Sequence, residues 1–248
     1  MNVIAAERIK LTSTRSPLWL ALTVVLLSLG LAAIQAVAAL PYSTVGPERA
    51  SLGVAMLGVP VLMILSALTV TGEYRTSMIR TTFMATPRRS RVLLAKAVVA
   101  MSLSGLLAAV MALGSMVLVR AMLDDRQGVL LALDRGGPWR TIGAITLYAV
   151  LAALFAVALA ALLRHSAAVI AVLLLLPFVV EPLLGVMPGV GSRVGPLFPF
   201  ANANAFTEIP WLQSFSMWWG PVGSACYFAG VAAAMFGAAL VVVARRDP

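Results

Sequence analysis

Charge is what this 248-residue sequence has least of: 18 Lys or Arg and 9 Asp or Glu make up 11% of it, while 61% is hydrophobic. A water-soluble domain carries about a quarter charged residues because its surface must meet water. A chain this poor in charge cannot cover itself with polar groups, so its main solvent is lipid. Intrinsic disorder is excluded by the same arithmetic, since it needs low hydrophobicity. The single cysteine, Cys226, lies in an apolar stretch, which excludes an intrachain disulfide scaffold and leaves it as a small packing residue.

Chemical vocabulary is equally thin. A lone histidine and a lone cysteine exclude the usual soft-metal sites, and no metal ligand set is expected. His165, beside Arg164 at the end of an apolar run, reads as a loop residue rather than a catalytic base. There is no G-x-x-x-x-G-K-[ST] cradle for ATP phosphates, no G-x-S-x-G and no H-E-x-x-H. Asp124 and Asp125 are adjacent but lack the further oxygens a cation site needs. The chain is therefore expected not to be an enzyme and to carry no catalytic residues.

Apolar runs are abundant. Six are long enough for a helix to cross the roughly 30 Å hydrocarbon layer, at residues 18–40, 52–72, 92–121, 139–163, 167–187 and 220–244. Their apolar residues fill whole turns instead of alternating, which argues for helices over barrel strands. The expected fold is an all-α integral membrane protein, one transmembrane domain over residues 1–248. The first run, with basic residues before it and Ala36-Val37-Ala38 near its end, imitates a signal peptide, but it is too long for a secretory apolar segment.

Orientation follows from the loops, because cytoplasmic loops retain Lys and Arg. With both termini inside, the inner segments hold 12 basic residues and the outer ones six; inner net charge is +9 and outer +1. That bias absorbs most of the basic excess, so nucleic acid is not needed to explain it.

Between the runs, residues 1–17 are expected to form a surface helix, with Val3, Ile4, Ile9 and Leu11 on one side, Glu7, Arg8 and Lys10 on the other, and a break at Ser16-Pro17. Residues 73–91 are more informative: charge at both ends, then Met78, Ile79, Phe83 and Met84 in a helix-compatible centre before Pro87. Such a face either docks a partner or inserts into lipid. Residues 120–138 resemble a solvated loop. Residues 188–219, with four prolines and seven Phe or Trp, suit short helices lying on or dipping back from the outer surface, as an anchor or a lid. Glu181, followed by Pro182, is the only acid inside a span; it either lines a route or caps backbone groups freed at the proline. In the last run Cys226, Gly230, Ala234 and Ala238 recur every four residues, a stripe that permits close helix packing.

In their order these residues resemble the ABC-2 type transporter permeases, of the short six-span bacterial kind: Glu7-x-x-Lys10 with Arg15 before the first span, Gly72-Glu73-Tyr74-Arg75 leaving the second, Pro87-Arg88-Arg89 entering the third and Glu181-Pro182-Leu183 in the fifth. The resemblance covers essentially the whole chain. It implies a subunit without ATPase activity in the cell membrane, paired with a second permease copy or homologue and with two copies of a separate ATPase subunit that would carry the ATP and magnesium. It implies further that the loop after the second span forms a coupling helix against the ATPase. That role falls on Glu73, Tyr74, Arg75, Thr76, Ser77, Met78, Ile79 and Arg80, with Pro87, Arg88 and Arg89 at the far end and Glu7 and Lys10 as secondary contacts. The family's frequent Gly-Thr pair after the glutamate is replaced here by Thr76-Ser77-Met78. Export is the implied direction, and the first and fifth spans would contribute to the route, with Glu181 near its outer end. The residues themselves leave open a membrane adaptor for a cytoplasmic complex, or a small secondary carrier.

Overall fold

A computed structural model describes residues 3–13, 15–39, 43–76, 78, 89–209 and 215–245, and among these there is helix and no strand. Among the described residues six helices are long and apolar enough to cross a membrane: Leu18–Val37, Val54–Arg75, Arg89–Met122, Gly136–Leu163, Ser166–Val186 and Pro221–Arg245. They are called the first to sixth spans below. The chain thus has the architecture of an all-α, multi-pass membrane protein.

Burial ranks the spans. In the second and fourth, 67% of the most apolar window is buried, against 22% in the first and 28% in the fifth and sixth. The second and fourth are the axis of the bundle and the others wrap it. For the fourth span the reason lies in side-chain size. The fourth span buries Ala149, Ala152, Ala153, Ala156, Ala158, Ala160 and Ala161, and small residues let helix backbones approach closely where no hydrophobic effect drives them together. Gly105 of the third span sits so near that a Cβ there would lie 2.8 Å from Val150 Cγ2. Gly53 plays the same part between the first two spans, since its Cβ would come within 2.6 Å of the Ser28 carbonyl oxygen.

Two spans are interrupted by π-helical turns, Val54–Gly58 and Leu176–Val180. The first precedes Pro60 and the second contains Pro177, prolines whose missing N–H and bulky ring disturb the ordinary ladder, and a wider turn accommodates the lost bond. A two-residue turn joins the fourth and fifth spans. Arg164 takes a left-handed conformation (φ 55°) and donates its N–H to the Ala160 carbonyl, and His165 Nδ1 accepts the Ala168 N–H at 3.3 Å.

Four expectations are corrected here. The second span continues past Gly72 to Arg75 and the third begins at Arg89, because Glu73 and Tyr74 find partners in helical geometry beyond the apolar boundary. Ser16 and Pro17 do not break the chain; they lie in the first turn of helix Arg15–Val37, where free N–H groups make proline harmless. In the surface helix, Val3–Ser13, it is Glu7 that is buried, while Ile4 and Ile9 are exposed. The small-residue stripe of the sixth span likewise faces outward; its packing face is Ser224, Phe228, Ala232, Phe236, Ala239 and Val243.

Candidate functional site

Four charged side chains from three helices meet where the surface helix crosses the bundle. Glu7 and Lys10 are one turn apart and share a face of that helix, as do Thr69 and Glu73 at the end of the second span. Lys96 reaches them from the second turn of the third span. Its ammonium donates to Glu7 Oε2 at 2.7 Å, to Glu73 Oε1 at 2.7 Å and to the Thr69 carbonyl at 3.1 Å, which satisfies all three of its protons. Lys10 Nζ donates to Glu73 Oε1 at 2.7 Å and to Glu7 Oε1 at 3.1 Å. Glu7, Glu73 and Lys96 are only 5%, 7% and 3% exposed.

The cluster is neutral, two carboxylates against two ammoniums, and each acid touches both bases. That alternation is what makes burial tolerable, since an unpaired charge in such a place costs several kcal/mol while mutual attraction in a low dielectric offsets it. Lys10 alone keeps access to water. Its burial works against the ammonium, but the hydrogen bond and charge of Glu73, and then those of Glu7, outweigh it and raise its pKa above the ordinary 10.5. Glu73 Oε2 is buried without a hydrogen-bond partner among the described residues.

Around the cluster, the Arg164 guanidinium stands 5.2 Å over the Tyr74 ring, a cation–π contact that ties the turn between the fourth and fifth spans to the end of the second. Tyr74, Arg89, Lys96 and Val243 line one small space of about 10 Å³, too small for a ligand. It shows that the end of the sixth span and the surface helix lie at the same end of the bundle.

The expected site residues are therefore distributed as follows. Glu7, Lys10 and Glu73 are brought together, inward-facing; Tyr74 and Arg89 are half-buried beside them. Arg75, Thr76 and Met78 are exposed, with the Thr76 hydroxyl donating to the Gly72 carbonyl at 3.0 Å. Ser77, Ile79, Arg80, Pro87 and Arg88 lie outside the described residues. Lys96 is the member that sequence reasoning missed, having counted it only as a topological charge. A signal existed: the chain has just two lysines among its 18 basic residues, and both are in this cluster. An ammonium can point three donors at three separate acceptors, whereas a guanidinium is a flat fork.

Glu181 occupies a different setting, and is 4% exposed. Its Oε1 accepts the Phe200 N–H at 3.0 Å and its Oε2 the Ala201 N–H at 2.7 Å. Those are the first free N–H groups of helix Pro199–Thr207, where the macrodipole favours a carboxylate. The groups it caps are thus not those beside Pro182 but those of a helix 19 residues later. That helix dips into the bundle. Phe206 near its end meets Tyr148, about 18 Å along the fourth span at 1.5 Å per residue, and Phe200 near its start meets Phe155, about 28 Å along. Asn202 fixes it further, donating to the Pro196 and Phe198 carbonyls at 2.8 Å each and accepting the Trp219 indole N–H at 2.7 Å. Phe198, Phe200 and Phe206 of this aromatic stretch are consequently buried in protein.

No family model matches this sequence, and no curated protein matches it either. Among the described residues no three His, Cys, Asp or Glu side chains are grouped to hold a metal. What the four-charge cluster can do is mechanical: it locks three segments of chain, far apart in sequence, into one unit.

Proposed function

We propose that this chain is the permease subunit of an ATP-driven transporter of the ABC-2 type, an exporter of the bacterial cell membrane with both termini cytoplasmic. It would form the membrane route with a second permease, identical or homologous, and would be driven by two copies of a separate ATPase subunit that binds ATP and magnesium. The observation that carries the reading is the charge cluster. Glu7, Lys10 and Glu73 belong to two segments that the resemblance to ABC-2 permeases assigns to ATPase contact, and they are bonded to each other and to Lys96.

In this reading the segment between Thr76 and Arg89 is the coupling element, and the cluster passes its displacement on. A push there would move the surface helix and the second and third spans together, because separating them would strand buried charge. Such a rigid unit suits rocking of one permease half against the other. Arg75 and Met78, exposed at the start of the segment, would be the first contacts with the ATPase.

The test is purification of the tagged full chain in mild detergent with native lipid retained, with mass spectrometry of what accompanies it. An ATPase carrying the phosphate-cradle motif should co-purify at about equal amount, and Arg75→Glu or Met78→Asp should release it. A chain that purifies without such a subunit sinks the reading and favours the membrane adaptor or the carrier. Glu73→Arg is a poor substitute, since a guanidinium beside Lys10 and Lys96 would upset the fold as well as any coupling.

A further inference from the structure

At the opposite end of the bundle the loop after the third span forms a groove of about 510 Å³, lined by Val117, Arg120, Ala121, Leu131, Leu133 and Asp134 among others. Its floor is apolar, with Leu131 1% exposed. One cation and one anion face it, and the side chains of Arg120 and Asp134 have no ion pair or hydrogen bond with any described residue. Gly128 lies beside the Arg120 stem, where an added Cβ would make ordinary van der Waals contact with Arg120 Cγ at 3.6 Å.

The loop also carries the marks of a membrane interface. Met122, Val129, Leu130 and Leu133 are exposed, and Trp139, 54% exposed, donates its indole N–H to the Leu133 carbonyl at 2.8 Å. Tryptophan, with a polar N–H and an apolar body, settles at the headgroup level. A solvated loop, as the sequence suggested, would not present this many apolar side chains.

We propose that this groove binds a zwitterionic phospholipid, one molecule per chain, with the phosphate on Arg120, the headgroup amine on Asp134, and an acyl chain along Val117 and the apolar floor. The charge pair selects the lipid: a headgroup with phosphate and amine matches both, whereas a purely anionic headgroup meets Asp134 unfavourably. The proposal needs only that the spans cross a bilayer and is independent of any transport activity.

The experiment is native mass spectrometry of the full-length protein in detergent, titrated with phosphatidylethanolamine or phosphatidylglycerol. Wild type should retain one phosphatidylethanolamine in preference to phosphatidylglycerol. Arg120→Ala should weaken both by about fivefold, the scale of one exposed charge pair. Asp134→Asn should abolish the preference while keeping phosphatidylglycerol bound, and Ala121→Trp, at an exposed position, should displace both by filling the groove. Equal retention of the two lipids by wild type, or unchanged occupancy in Arg120→Ala and Ala121→Trp, would overturn the proposal and leave only annular lipid.

Discussion

Two buried acidic sites, one at an end of the bundle and one within it, solve one problem in different ways. Glu7 and Glu73 are neutralised by the ammoniums of Lys10 and Lys96, charge against charge. Glu181 has no basic side chain in contact among the described residues; two backbone N–H groups of a helix N-terminus receive it. The first arrangement joins three separate segments and collapses if one member is lost. The second joins two, and its energy is that of a strong cap. The difference predicts how each will fail.

Lys96→Met should give the largest effect, because it leaves two carboxylates buried beside one half-exposed lysine. Breaking a buried pair in this way costs about 3–5 kcal/mol, read as a fall in the thermal midpoint of the detergent-solubilised protein. Adding Glu7→Gln to Lys96→Met should recover part of the loss. Lys96→Arg should not rescue, since a planar guanidinium cannot address the Thr69 carbonyl and two carboxylates at once; full stability of Lys96→Arg would show that charge alone matters there.

Glu181→Ala should come next, at about 1–3 kcal/mol for unsatisfied buried donors. Its signature is local: faster hydrogen exchange at the amides of Phe200 and Ala201, with the charge cluster undisturbed. Glu181→Gln keeps an acceptor oxygen and should fall between wild type and alanine. If the alanine variant exchanges no faster at those two amides, the cap is not what holds the dipping helix.

Lys10 supplies the pH dependence. Its folded pKa is raised, so the stability it contributes is complete below the unfolded value near 10.5 and is lost as pH rises through the folded one. The difference in thermal midpoint between wild type and Lys10→Met should therefore be constant from neutral to mildly alkaline pH and shrink only above about 10.5. A difference that disappears near neutrality would contradict the cluster geometry.

The smallest effect belongs to Arg140, which bridges Glu208 and, at 3.8 Å, Glu48 at the far surface. All three side chains meet water, and Arg140→Gln should cost less than about 1 kcal/mol, diminishing further with salt.

Much of the fold was legible because lipid imposes a simple rule. A run of some twenty apolar residues must close its backbone bonds within itself, so the six runs had to be helices, and their ends could be placed to within a few residues. The site was half legible. Glu7, Lys10 and Glu73 were singled out through the resemblance to ABC-2 permeases, but as outward contacts with an ATPase, and the surface helix was expected to turn Glu7 away from its apolar side. Lys96 looked like one more basic residue near a span end. Glu181 was recognised as costly, but the helix it caps could not be named, since its partners lie 19 and 20 residues away in a proline-broken segment.

Composition and apolar length alone therefore determined the solvent, the helical class and the number of spans, for these depend on local backbone satisfaction. Only the tertiary structure decided which charges face each other, which spans form the axis, and that the small-residue stripe of the sixth span points outward. Those are outcomes of packing among segments 89 and more residues apart, and pairing across such distances leaves no periodic trace in a single chain.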